Sequence, residues 1–119
     1  MCNEHERFGK EERIRKRGQY LAVQKQGRKF HLEHLLVLVL ANPNKRRIGI
    51  TVSSKVGNAV VRNRVKRLLR EVWRRHRQHL PMGYDLVFIA KKNAAQVSYE
   101  DLHRQVFELA RRIKRRLPI

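Results

Sequence analysis

One cysteine is all the thiol chemistry this sequence holds: Cys2 can form no internal disulfide, and a reducing compartment suits it. Long hydrophobic runs are missing too. The longest, residues 35–41, has seven residues, against the roughly 20 that a membrane-spanning helix needs, so an integral helical membrane protein is excluded. Residues 1–12, with Glu4, Glu6, Glu11 and Glu12 among Arg7 and Lys10, contain no apolar stretch of the signal-peptide kind, and a cytoplasmic location is expected. The three prolines and six glycines fall at element borders rather than in a linker, and there is no internal repeat. Acidic residues are scarce and scattered, ten in all, with Asp85 and Asp101 the only aspartates. Neither a Ser-His-Asp arrangement nor a carboxylate cluster for magnesium can be assembled from them, so hydrolysis by this chain alone has no basis in its residues.

Positive charge is what the chain has in excess. Twenty-nine Lys and Arg against ten Asp and Glu leave a formal +19 and a pI near 11.5. No globular fold needs so much self-repulsion, and the charge asks for a polyanionic partner. Thirteen of the basic residues fall in residues 1–60 and sixteen in 61–119, so the charge belongs to the folded body and not to a tail. A length of 119 residues with 41% hydrophobic content suits one domain with a real core. The expected organisation is a polar, mobile lead-in over 1–12 followed by a single domain over 13–119.

Periodicity predicts the elements. A short helix is expected from Gly18 to Gln26, with Gly27 as a left-handed C-terminal stop. The run Leu35-Leu36-Val37-Leu38-Val39-Leu40 reads as a strand buried on both faces and closed by Asn42-Pro43-Asn44. Ile48, Ile50 and Val52 alternate with Gly49 and Thr51 as a second strand, expected to be its antiparallel neighbour. Val61, Val65, Leu68, Leu69, Val72 and Trp73 then recur at steps of three and four, one stripe of a long helix. Pro81 and Gly83 end it before another apolar strand, Tyr84 to Ala90, expected in mid-sheet. Ser98-Tyr99-Glu100-Asp101 is a capping-box pattern opening a last helix with a core stripe of Tyr99, Leu102, Val106, Leu109, Ile113 and Leu117. An additional strand near Arg28 to His31 completes the pattern. The fold class expected is α+β, helices packed on a small mixed β-sheet.

On a helical wheel the apolar stripe of residues 61–77 spans roughly 140°, and Arg62, Asn63, Lys66, Arg67, Arg70, Arg74 and Arg77 occupy the opposite side. Eight of the sixteen residues from 62 to 77 are basic and only Glu71 is acidic. Like charges spaced i,i+4, such as Arg62/Lys66 and Lys66/Arg70, each cost a few tenths of a kcal/mol, which something outside the chain should offset. A merely solvated face would mix both signs. The excess of arginine favours bidentate phosphate recognition. Immediately upstream, Ser53-Ser54-Lys55-Val56-Gly57-Asn58 can either expose backbone N–H groups to a phosphate or serve as an ordinary loop and cap.

The segment Lys55-Val56-Gly57-Asn58-Ala59-Val60-Val61-Arg62-Asn63-Arg64-Val65-Lys66-Arg67-Leu68-Leu69-Arg70-Glu71 closely resembles the signature of the bacterial ribonuclease P protein subunit. The resemblance extends to Arg13-Ile14-Arg15-Lys16 with Tyr20 and Gly27, to Arg47-Ile48-Gly49-Ile50-Thr51-Val52-Ser53, and to Asp85-Leu86-Val87-Phe88-Ile89-Ala90 with Ser98-Tyr99. It implies a subunit of a ribonucleoprotein that removes 5′ leaders from precursor tRNA. The RNA subunit would be the catalyst and would require Mg2+, the protein alone holding no cofactor or metal and no catalytic residue. The partners implied are the ribonuclease P RNA subunit and precursor tRNA, with no membrane and no obligate protein partner. The implied fold is a small single-domain α/β sandwich with a left-handed βαβ crossover, shared with a domain of a small-subunit ribosomal protein, where general handedness rules predict a right-handed one.

Carried over by matching positions, Arg62, Asn63, Arg64, Lys66, Arg67 and Arg70 would bind RNA with Lys55 beside them. Tyr20 and Lys55 would serve the single-stranded leader in a cleft between the sheet and the N-terminal helix. Phe30 is either a further stacking surface there or core. Gln24 and Leu38 stand where the family often has aromatics, and Ser54 where it often has lysine, which weakens leader contacts and leaves the basic helix untouched.

Three pairs, Cys2 with His5, His31 with His34 and His76 with His79, fall short of a zinc site, which takes four clustered ligands or three plus water. Trp73, Phe88, Tyr99 and Phe107 are assigned to core packing. A structural ribosomal protein matches the composition equally well, but gives no reason for the Arg62-Asn63-Arg64 string after Lys55-Val56-Gly57-Asn58. A DNA-binding role suits the charge, yet single strands and A-form shape fit a sheet-and-helix cleft better than a major groove does.

Overall fold

The computed structural model describes residues 13–14, 17–43, 46–80 and 83–116; the expected lead-in at 1–12, Cys2 with His5, and Leu117 lie outside them. Helix α1 (Arg17–Gln26) runs into strand β1 (Arg28–His31), which turns back into β2 (Leu35–Ala41). Strand β3 (Arg46–Thr51), helix α2 (Ala59–His76) and a 3-10 turn (Arg77–His79) follow. Strand β4 (Tyr84–Ala90), a second 3-10 turn (Lys92–Gln96) and helix α3 (Tyr99–Arg116) complete the chain.

The four strands form one mixed sheet in the order β1-β2-β4-β3. This corrects the expected pairing of residues 35–41 with 46–51. Strand β4 stands between them, antiparallel to β2 and parallel to β3. Its Leu86-Val87-Phe88-Ile89 centre is apolar on both faces and takes the interior position, while β3, with Gly49 and Thr51, takes the edge. The β3–α2–β4 crossover thereby delivers α2 onto one face of the sheet.

Two apolar clusters follow from the strand period of two. On one face Leu35, Val37, Val39, Leu86 and Phe88 meet Val65, Leu69, Val72 and Trp73 of α2 and Leu102, Val106, Leu109 and Ile113 of α3. Trp73 and Phe88 pack edge to face at 6.4 Å. On the other face Leu38 and Val87 meet Ile14 and Val23, with Tyr20, Leu36, Leu40 and Ile89 partly buried around them.

Local signals set the helix ends. Asn58 caps α2 by accepting from the Val61 N–H at 3.0 Å. Ser98 and Asp101 form the expected reciprocal capping box: the Ser98 N–H donates to Asp101 Oδ2 at 3.2 Å and the Asp101 N–H to Ser98 Oγ at 3.1 Å. These bonds hold the Asp101 carboxyl below its ordinary range. Gly27 differs from expectation, because it is not among the left-handed glycines. Its N–H bonds the Val23 carbonyl at 2.8 Å, and a Cβ there would collide with that carbonyl oxygen, so close approach rather than a left-handed stop requires the glycine.

Candidate nucleic-acid interface

Helix α2 buries Val65, Leu69, Val72 and Trp73 against the sheet and turns its opposite side to solvent. Arg62, Lys66 and Arg70 lie one above another at the i,i+4 spacing, with Asn63 and Arg67 exposed beside them. Arg62 is half-buried, and its Nε is buried with no hydrogen-bond partner. None of Arg62, Lys66, Arg67 and Arg70 pairs with a carboxylate among the described residues.

Five of the six carboxylates among the described residues, all but Glu100, are engaged elsewhere. Glu71 binds Arg74 at 2.5 Å and Arg75 at 2.6 Å, contacts that lower the Glu71 carboxyl, hydrogen bonding from Arg74 foremost. Glu33 and Asp101 hold Arg104, and Glu108 holds Arg112. Asp85, only 3% exposed, takes the Arg47 guanidinium at 3.0 and 2.8 Å and the Asn42 amide at 3.1 and 3.0 Å. Hydrogen bonding to Asp85 raises Arg47 above its ordinary value.

Beside the row lies a cleft lined by Arg13, Ile14, Tyr20, Ile48, Gly49, Ile50 and Arg70. Residues 13 and 14 extend the free edge of β3, the Ile14 N–H donating to the Ile48 carbonyl at 2.8 Å. Helix α1 lays the half-buried Tyr20 ring over Gly49, where a Cβ would stand 2.6 Å from the phenolic oxygen and 2.7 Å from ring carbons. Glycine at 49 is therefore what lets the ring lie against the strand. Arg70 joins the two features: the cationic row of α2 runs into the cleft that holds Tyr20.

Several expected site residues lie elsewhere. Phe30 is 1% exposed on the α2/α3 side of the sheet and cannot stack on a base, because position 30 shares its face with Val37 and Phe88 in the main core. Lys55 is exposed in the turn before α2 and is not part of the cleft lining. Arg64 sits on the other flank of α2, donating to the Val97 carbonyl at 2.8 Å and the Ala95 carbonyl at 3.4 Å. Arg77, placed by the wheel on the cationic side, lies past the end of α2 and is 5% exposed. Gln24 and Ser54 are exposed, and Leu38 is core on the α1 face.

The ion pair missed by sequence reasoning has one cause, pairing between distant strands. Arg47 and Asp85 are register partners across β3 and β4, and no local pattern links positions 47 and 85. Phe107 was assigned to the core, yet it is 38% exposed and packs with His79 and His103 on the outer side of α3.

A small α+β domain in which five of the six described carboxylates hold other arginines, while one helix row stays bare beside an aromatic cleft, is a polyanion-binding module. The ribonuclease P family model matches residues 8–114. The chain is 50% identical over 111 residues to the ribonuclease P protein component of Desulfovibrio desulfuricans, covering 89% of this chain and 85% of that one. It is 41% identical over 98 residues to that of Syntrophus aciditrophicus, covering 82% of each. The ribonuclease P protein of Thermotoga maritima superposes with a TM-score of 0.77 at 34% identity, over 86% of this chain and 97% of that one. That of Staphylococcus aureus superposes at 0.74 and 30% identity, over 87% and 94%. The chain belongs to the bacterial ribonuclease P protein family, and so forms part of an endoribonuclease.

Proposed function

We propose that this chain works as the ribonuclease P protein subunit by holding the RNA subunit on α2 and the single-stranded 5′ leader of precursor tRNA in the Tyr20 cleft. The observation that carries this reading is the row Arg62, Lys66, Arg67 and Arg70, left without carboxylate partners among the described residues while Glu33, Glu71, Asp85, Asp101 and Glu108 hold other arginines. Asn63 and Lys55 extend the surface towards the helix N-terminus. In the cleft, the Tyr20 face offers sequence-tolerant stacking and Arg13 and Arg70 supply charge for the backbone phosphates.

On this reading the RNA subunit performs the hydrolysis with its own Mg2+, and the protein contributes affinity. The paired carboxylates of this chain are unsuited to a magnesium site: Glu33, Glu71, Asp85, Asp101 and Glu108 each face an arginine. A strongly cationic subunit lowers the magnesium requirement by replacing counterions that two associating polyanions would otherwise need. The test mixes the purified full chain with a bacterial ribonuclease P RNA and assays precursor tRNA cleavage at low magnesium. Cleavage should rise on adding protein to RNA. Cleavage by rigorously RNA-free protein would refute the division of labour.

A further inference from the structure

At the C-terminal end of α2, away from the Tyr20 cleft, four rings cluster, the histidines stacked and Phe107 tilted against them. His76 lies 4.1 Å from His103 with planes 15° apart, and Phe107 lies 4.8 Å from both His103 and His79. His76 Nε2 and the Tyr99 hydroxyl are 2.9 Å apart, which fixes the base of the stack. Rings stacked nearly parallel aim their nitrogens along separate planes, and among the described residues no three such groups converge as metal ligands. The outer ring of the stack borders an open groove of about 330 Å³ lined by His79, Phe107, Arg111 and Lys114, together with Gln78 and Leu80.

Charge and shape together define an occupant. Arg111 and Lys114 follow Phe107 on the same flank of α3, at spacings of four and seven residues. Neither has a carboxylate partner among the described residues, whereas neighbouring Arg112 is held by Glu108 and by the His31 carbonyl. An exposed aromatic ring held in place by its neighbours, with two free cations beside it, matches a nucleobase and its flanking phosphates. An apolar protein segment would gain nothing from the cations.

We infer that the His79–Phe107–Arg111–Lys114 groove is a second binding site for unpaired RNA, in which a base stacks on Phe107 and its phosphates meet Arg111 and Lys114. This rests on the RNA-binding reading above and adds a contact beyond the C-terminal end of α2.

The test uses the full chain, an eight-nucleotide oligoadenylate RNA and an abasic oligomer of the same length. Affinities are measured for the wild type and for the Arg62→Ala/Lys66→Ala/Arg70→Ala variant, with the His79 and His103 ring-proton NMR signals followed in both. Oligoadenylate should shift those signals even in the triple variant. In that background Phe107→Leu, which keeps an apolar side chain, should weaken oligoadenylate binding about 5-fold or more and leave the abasic oligomer unaffected. Arg111→Ala/Lys114→Ala should flatten the salt slope by about 0.7 per lost phosphate contact. Unmoved histidine signals, or equal affinities with and without the Phe107 ring in folded protein, would overturn the groove site and point to a protein partner there. Loss of affinity in the triple variant would still support the α2 face, so the two readings fail separately.

Discussion

Two residue pairs do separate jobs, one shaping the cleft and one holding the sheet. Tyr20 was expected from the resemblance to serve the leader, and the structure sets it apart from its neighbours Leu21 and Val23. Val23 is fully buried, Leu21 is 40% exposed, and Tyr20 rests half-buried on Gly49. Gly49→Ala should push the ring off β3, weakening precursor tRNA binding in the holoenzyme while mature tRNA, which has no leader, binds unchanged. Tyr20→Ala should do the same by about 5- to 150-fold, the worth of one stacked base. Equal losses for both ligands in folded protein would assign Tyr20 to packing alone. The second pair, Arg47 with Asp85, is structural. Arg47→Ala leaves a carboxylate that is 3% exposed with only Asn42 as its partner, and urea denaturation should show a loss of about 3 kcal/mol or more. Adding Asp85→Asn should recover part of that loss.

At the scale of elements, the sequence was most legible where a period runs through one segment. The stripes of α2 and α3, the capping box at Ser98 and the two apolar strands all follow from local spacing. Strand neighbours did not, because alternation tells which side of a strand is apolar and is silent on what lies beside it. Hence β4 came between two strands expected to pair, and the Arg47–Asp85 contact went unseen. The docking of α2 on α3 has a titratable element of the same non-local origin. His76 ends α2, where the helix dipole would favour a cation by roughly 0.3–1 kcal/mol. Burial, followed by His103, His79 and Arg75, nevertheless pushes its pKa below the ordinary value. The unfolded chain therefore binds a proton at His76 before the native one does, so stability should be fully present above about pH 6.5 and decline as pH falls below it. Tyr99 and Phe107 pack against the same ring and carry no charge that would offset this. Thermal unfolding followed from pH 8 to 5 should show the decline, and His76→Gln, neutral throughout, should reduce it.

For the whole molecule, what matters is where +19 is left uncompensated. Composition alone located a polyanion partner but not its footprint, since paired and bare arginines look alike in sequence. The structure sorts them: Arg47, Arg74, Arg75, Arg104 and Arg112 face carboxylates, Arg64 faces backbone carbonyls, and Arg62, Lys66, Arg67 and Arg70 face neither among the described residues. If the bare row meets phosphates, log affinity for the RNA subunit should fall with log salt by about 0.7 to 0.9 per contact. Alanine at Arg62, Lys66 or Arg70 should each flatten the slope by about one contact, and the triple variant by about three. Between 50 and 200 mM salt, three contacts at those slopes amount to roughly 20- to 40-fold in affinity, so the variant should lose that much less than the wild type over this range. Arg104→Ala supplies the control: its guanidinium is exposed but already held by Glu33 and Asp101, so its removal should leave the slope within measurement error. Equal flattening by Arg104→Ala and by the row variants would mean that the RNA senses only net charge, and the α2 face would lose its claim to be the binding surface.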